Sequence, residues 1–150
     1  MKGVLNRTRN DYTIIIGCGR LGASIANTLS DQEKNVLIID SNKDSFRKLN
    51  PSFGGLILTG DATDLGVLKE AQIEKATLII AVTNNDNTNI MLSQLASELY
   101  KKQHIIVRLY DPERKDVFNG SSIDVICPFI MSLNEVTEII DMGTVEEVIV

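Results

Sequence analysis

The chain has 150 residues, 43% of them hydrophobic and 23% charged, with 10 Gly and 3 Pro; that is room for about one domain, and the composition excludes collagen-like, disordered and low-complexity classes. Its 20 acidic and 15 basic residues leave a formal net charge of −5, which argues against a nucleic-acid phosphate backbone as partner. Cys18 and Cys127 form no disulfide framework and have no Cys or His at metal-ligand spacing, so a reducing, cytoplasmic setting and no metal site are expected.

In chain order, residues 1–11 read as an N-terminal tail with Lys2, Arg7 and Arg9. The apolar run behind it ends at Gly17, too short for the core of a signal peptide. No run approaches the roughly 18–20 apolar residues of a spanning helix, so direct membrane insertion is not expected. Nearly unbroken apolar runs at 13–16, 36–39, 56–58, 78–82, 105–109 and 125–127 predict six strands, and their lack of alternation predicts parallel strands covered on both faces. The amphipathic stretches 21–29, 45–49, 65–71, 90–100 and 113–118 predict intervening helices, with Asp64 and Asp111 at helix starts and Pro112 in a first turn. The alternation predicts an α/β fold: a doubly wound, Rossmann-like parallel sheet, with ligands outside the carboxyl ends of the strands. An extra C-terminal helix follows Pro128 on a stripe of Phe129, Ile130, Leu133, Val136, Ile139 and Ile140, unusually apolar for a terminal helix. Met142-Gly143 reads as its stop and 145–150 as a β-prone tail. The domain is therefore expected over 12–142, with 143–150 starting a linker or hinge toward a lobe absent from this chain.

One motif carries chemistry. Gly17-Cys18-Gly19-Arg20-Leu21-Gly22 fits G-x-G-x-x-G between the first strand and the first helix. There Gly17 permits a tight turn, Gly19 lets a pyrophosphate approach the backbone, and Gly22 lets helix and sheet pack closely. Amides at the helix N-terminus then meet the phosphate oxygens. Asp40 ends the second strand eighteen residues after Gly22, where a carboxylate accepts from the adenosine ribose and repels a 2′-phosphate, so NAD or another adenine nucleotide is expected and NADP is not. Arg20 stands inside the phosphate loop and can offer its guanidinium fork to an outer phosphate, or can be a first-turn surface residue. Gly60-Asp61-Ala62-Thr63 and Thr83-Asn84-Asn85-Asp86 follow the third and fourth strands, as ligand walls or as helix caps.

No catalytic residue is predicted. His104, the single histidine, precedes the fifth strand and reads as structural or superficial, and Cys18 as a small loop-filling side chain despite its place at a helix N-terminus. The chain is expected to bind without chemistry. Two other classes stay open: the cofactor-binding half of an NAD-dependent oxidoreductase, and a ligand-free scaffold.

Taken together, 14–22, 36–40, Gly60-Asp61-Ala62-Thr63-Asp64, Ala81-Val82-Thr83-Asn84, Val107-Arg108 and Pro112-Glu113 resemble the KTN/RCK N-terminal domain, the nucleotide-binding regulatory module of Trk/Ktr-type bacterial potassium uptake systems and of some potassium channels. The resemblance runs from about Tyr12 to Met142. It implies dimers assembled into a cytoplasmic ring beneath a membrane-embedded potassium transporter or channel subunit, at the inner face of the membrane. NAD(H), ATP, ADP or AMP in the cleft would change the shape of the ring. By position, Gly17, Cys18, Gly19, Arg20 and Leu21 would hold phosphate, Asp40 the ribose with Ser41 beside it, Asp61 and Ala62 the adenine, and Thr83, Asn84 and Arg108 would lie along the cleft. The resemblance also implies that the helix beyond Pro128 packs against a neighbouring subunit, with burial on its own sheet as the alternative. Family regulators usually continue into a smaller C-terminal lobe, expected beyond the last residue of this sequence.

Overall fold

The computed structural model describes the backbone over residues 11–149 and the side chains over residues 11–143. The expected N-terminal tail thus lies outside the described residues, except for Asp11. Six strands, β1 (Tyr12–Ile16), β2 (Asn35–Asp40), β3 (Leu56–Thr59), β4 (Leu78–Ala81), β5 (Ile105–Arg108) and β6 (Asp124–Ile126), form one sheet in the order β3-β2-β1-β4-β5-β6. Every pairing is parallel. The order reverses between β1 and β4, which makes their carboxyl ends the topological switch point. Register brings those ends level: Ile16 pairs with Ile39 of β2 and Ala81 of β4. The ladder runs one residue further on both sides, through Gly17 N–H to Ile39 C=O (2.8 Å) and Val82 N–H to Ile16 C=O (2.9 Å).

The unbroken apolar runs reflect a sheet covered on both faces. Alternate residues point to opposite sides, so Ile14, Ile16, Leu37, Ile39, Ile79 and Val107 face one core with Leu68, Leu92 and Phe118. Ile15, Val36, Ile38, Ile80 and Val82 face the other, against Ala23, Ala26 and Leu29 of α1 (Arg20–Asp31). β3 is an edge strand, and Leu56 and Ile57 remain 63% and 50% exposed.

The helices follow the expected order with local differences. α2 (Leu65–Glu70) is capped by Asp64, whose carboxylate accepts from Gly66 N–H. The stretch 45–49 is a 3-10 turn at Lys43–Lys48, and 113–118 another at Pro112–Phe118, capped by Asp111 with Pro112 in its first turn. α3 (Asp86–Gln94) starts earlier than its apolar stripe because Asn85 caps it, accepting from Thr88 N–H, and it widens into a π turn at Leu95–Leu99.

The C-terminal helix differs most. α4 (Pro128–Ile149) continues through the expected stop at Met142-Gly143, and 145–149 are helical where a β-prone tail was expected. A glycine ends a helix by turning left-handed, and Gly143 is not among the positive-φ glycines, Gly17 and Gly120. Inside a helix it costs only about 1 kcal/mol relative to alanine. The side chains of α4 also leave their own sheet: Phe129, Met131, Leu133, Val136 and Ile139 are all at least half exposed.

Candidate functional site

The turn after β1 is built by close approach. Gly17 has φ +107°, and a Cβ there would stand 2.8 Å from both Thr83 N and Val82 O, so only glycine lets β1 turn against the end of β4. At Gly22 a Cβ would lie 1.8 Å from the Gly17 carbonyl oxygen, so α1 sits directly on the turn. Gly19 is the reverse case, because a Cβ there meets nothing within 4 Å. Its missing side chain leaves open space in front of α1. The helix start has neither a capping side chain nor an acidic residue in its first turn. Its first amides therefore present partial positive charge to that space.

Asp40 joins this turn to the end of β2. Its Oδ2 accepts from Cys18 N–H at 2.7 Å and its Oδ1 from Asn42 N–H at 2.8 Å. Each carboxylate oxygen keeps a second lone pair for a ligand hydroxyl. Cys18 itself is fully buried, with its thiol 3.4 Å from the Ser45 carbonyl oxygen. Burial pushes the thiol up, the negative charge of Asp40 adds to this, and Lys48 opposes it more weakly. A helix N-terminus that would activate a thiol is thus overridden, and Cys18 fills the loop as a protonated side chain.

After β3, the Asp61 carboxylate accepts from Thr63 N–H (2.9 Å) and Thr63 Oγ1 (2.7 Å), bonds that hold its carboxyl below the usual range, and Ala62 is buried behind it. Opposite stands a wall formed by the ends of β4 and β5. Arg108, 9% exposed, donates from Nη2 to the Val82 and Thr83 carbonyls at 2.9 Å each, with its guanidinium 4.9 Å from the Tyr110 ring centroid. It is part of the wall rather than an arm in solvent.

These parts enclose one cleft of about 700 Å³ at the switch point. Gly17, Cys18, Gly19, Arg20, Leu21, Asp40, Ser41, Asp61, Ala62, Thr83, Asn84 and Arg108 all line it. Gly22 does not, since it lies behind the turn against Gly17. Lining residues beyond the expected set include Asn42, Ser45, Lys48, Thr88 and Tyr110. Lys48 is hard to anticipate because it rides on the 3-10 turn after β2, whereas Asn42 could have been found from its place two residues beyond Asp40. Asp86, the last residue of the polar stretch after β4, holds the turn after β5 instead: its carboxylate accepts from Tyr110 N–H (2.9 Å) and Asp111 N–H (3.0 Å). His104 is not among the residues of the cleft, and its carbonyl accepts from Ile79 N–H at the amino end of β4.

A parallel sheet in this strand order, a glycine turn opening onto bare helix amides and an acid at the end of β2 define a Rossmann-type nucleotide-binding fold. Within that class the chain belongs to the TrkA-N domain family, which it matches over residues 13–128. It is 38% identical over 115 residues to the Trk system potassium uptake protein TrkA of Streptomyces coelicolor, covering 77% of this chain and 52% of that protein. The chain thus spans about half the length of that relative. Among solved structures, GsuK bound to ADP superposes with a TM-score of 0.75 at 27% identity, over 91% of this chain and 35% of that one. The GsuK channel bound to NAD superposes with a TM-score of 0.74 at 26% identity, over 89% of this chain and 24% of that one.

Proposed function

We propose that the chain is the nucleotide-binding part of a regulatory subunit that gates a potassium transporter or channel in response to an adenine nucleotide. The observation that carries this reading is the single cleft in which the glycine turn, Asp40 and the β4–β5 wall meet. In it, phosphate meets the open space at Gly19 and the first amides of α1, the ribose hydroxyls meet Asp40, and adenine rests by Asp61 and Ala62. The TrkA relative and the nucleotide-bound GsuK structures support the same assignment. Cys18 adds no nucleophile to the site, because its thiol is buried and pushed up, which supports binding over thiol chemistry. Melting temperatures with NAD, NADH, ATP, ADP, AMP and NADP at matched concentrations test it: several adenine nucleotides should stabilise the chain by about 2.7 kcal/mol at 100 times their Kd, and NADP should not. A response confined to NAD(H) would favour the cofactor half of an oxidoreductase instead, and no response a ligand-free scaffold.

Arg20 is exposed at the mouth of the loop and lines the cleft. Its role here is to meet an outer phosphate, so Arg20→Ala should weaken ATP and NADH by about tenfold, the scale of one charge-assisted bond, and AMP much less. Equal losses in a calorimetric titration of all three would remove that role.

The regulatory reading also needs a partner. Among the described residues no helix is long and apolar enough to cross a membrane, so contact with a pore is assigned to a membrane-embedded potassium transporter or channel subunit at the inner face of the membrane. Assembly into dimers and a ring is assigned to α4, whose exposed Phe129, Leu133 and Val136 have no cover on their own sheet. Leu133→Asp with Val136→Asp should lower the mass measured by light scattering while leaving nucleotide-induced stabilisation intact; an unchanged mass would place assembly elsewhere. A linker starting in 143–150 toward a further lobe belongs to the same proposal.

A further inference from the structure

Asn89 is fully buried on α3 and does not line the cleft, yet four hydrogen bonds tie it to the wall. Its Oδ1 accepts from Thr83 N–H at 2.9 Å and from Thr83 Oγ1 at 2.6 Å. Its Nδ2 donates to the Thr83 and Arg108 carbonyls, each at 2.9 Å. The Thr83 carbonyl also accepts from Arg108 Nη2, so one oxygen is shared between the amide and the guanidinium. Asn89 therefore grips Arg108 at both ends, directly at its backbone and through Thr83 at its guanidinium. That guanidinium is bonded to carbonyls and set against the Tyr110 ring, and its Nε is buried without a hydrogen-bond partner among the described residues. A buried cation held only by neutral groups is incompletely compensated, and an anion in the cleft would complete its surroundings.

We propose that Asn89 is the positioning residue of the β4–β5 wall, holding Arg108 where the part of a nucleotide beyond its first phosphate meets it. The inference rests on reading the cleft as a nucleotide site. AMP, whose phosphate is served by the glycine turn and whose ribose is served by Asp40, makes little use of that wall. NAD, which continues past the first phosphate, uses it fully. Asn89 thus sets selectivity between short and long adenine nucleotides without touching either.

Calorimetric titration of the chain with NAD and with AMP tests this. Asn89→Ala should weaken NAD by about tenfold and AMP by no more than about twofold, since the loss of a buried amide reaches the ligand only through the wall it holds, Thr83 and Arg108. In an Arg108→Ala background, adding Asn89→Ala should bring a much smaller loss of NAD affinity than it does alone, since only the Thr83 part of the wall is left to lose. Asn89→Ser, whose hydroxyl keeps one bond to the wall, should show the same order of losses at smaller size and serves if Asn89→Ala does not fold. Equal losses for NAD and AMP, or a full second loss in the Arg108→Ala background, would reduce Asn89 to a core residue and overturn the proposal. If the unmodified chain binds neither ligand, the nucleotide reading itself falls with it; if it binds both and the losses are equal, only the role of Asn89 falls.

Discussion

Gly19→Ala should abolish most nucleotide binding at an unchanged melting temperature, whereas Gly22→Ala should lower the melting temperature itself. The two glycines share a motif but not a reason. At Gly19 the backbone is already in a region open to any residue, φ −81°, and an added Cβ meets nothing within 4 Å, so the fold has no cause to change. The methyl group would instead occupy the space through which a pyrophosphate approaches the α1 amides, costing binding by roughly 10- to 100-fold, as expected for losing one or two charge-assisted bonds. At Gly22 an added Cβ falls 1.8 Å from the Gly17 carbonyl oxygen, a backbone atom that no rotamer change can move. α1 must shift off the sheet, at a cost of about 1–3 kcal/mol, which for a chain of this length is several degrees of Tm. Differential scanning calorimetry with and without NAD separates the two; a stable Gly22→Ala chain, or a Gly19→Ala chain with full affinity, would contradict the geometry.

Asp40→Ala should weaken every adenosine ligand by a similar factor, about tenfold or more for the loss of charge-assisted bonds to the ribose hydroxyls. The same change frees Cys18 N–H and Asn42 N–H, so some stability is lost with it. Asp40→Asn keeps the size and one acceptor oxygen while removing the charge. It should retain the fold, bind NAD more weakly, and narrow the preference for NAD over NADP, because the carboxylate no longer repels a 2′-phosphate. An unchanged ratio of NAD to NADP affinity would remove Asp40 from the ribose site.

Much of this arrangement was readable before any coordinates. β1, β2 and β4 are buried on both faces, so nearly every residue in them is apolar, and that pattern reads as a parallel sheet, although the equally apolar Leu56 and Ile57 of the edge strand β3 stay exposed. The cleft was readable because its chemistry is local: Gly17, Gly19 and Asp40 stand at spacings that a single βαβ unit imposes. What was not readable depends on backbone choice or on distant partners. The stretch at Lys43–Lys48 has the short amphipathic pattern of a helix and forms a 3-10 turn. Gly143 reads as a stop, yet nothing turns its backbone left-handed and α4 continues. Asn89 reads as one more polar residue in a run of them after β4. Its importance comes from Arg108, nineteen residues away in sequence, and becomes visible only when β4 and β5 lie side by side.

Under the proposed function, one cleft would accept several adenine nucleotides through a shared phosphate and ribose site. The most direct measurement is a competitive calorimetric titration in which the chain, first saturated with AMP, receives NAD or ATP. Both should displace AMP at a stoichiometry of one per chain, NADP should not, and Gly19→Ala should weaken all of these signals together. Additive binding of AMP and NAD, or binding that survives Gly19→Ala undiminished, would contradict it.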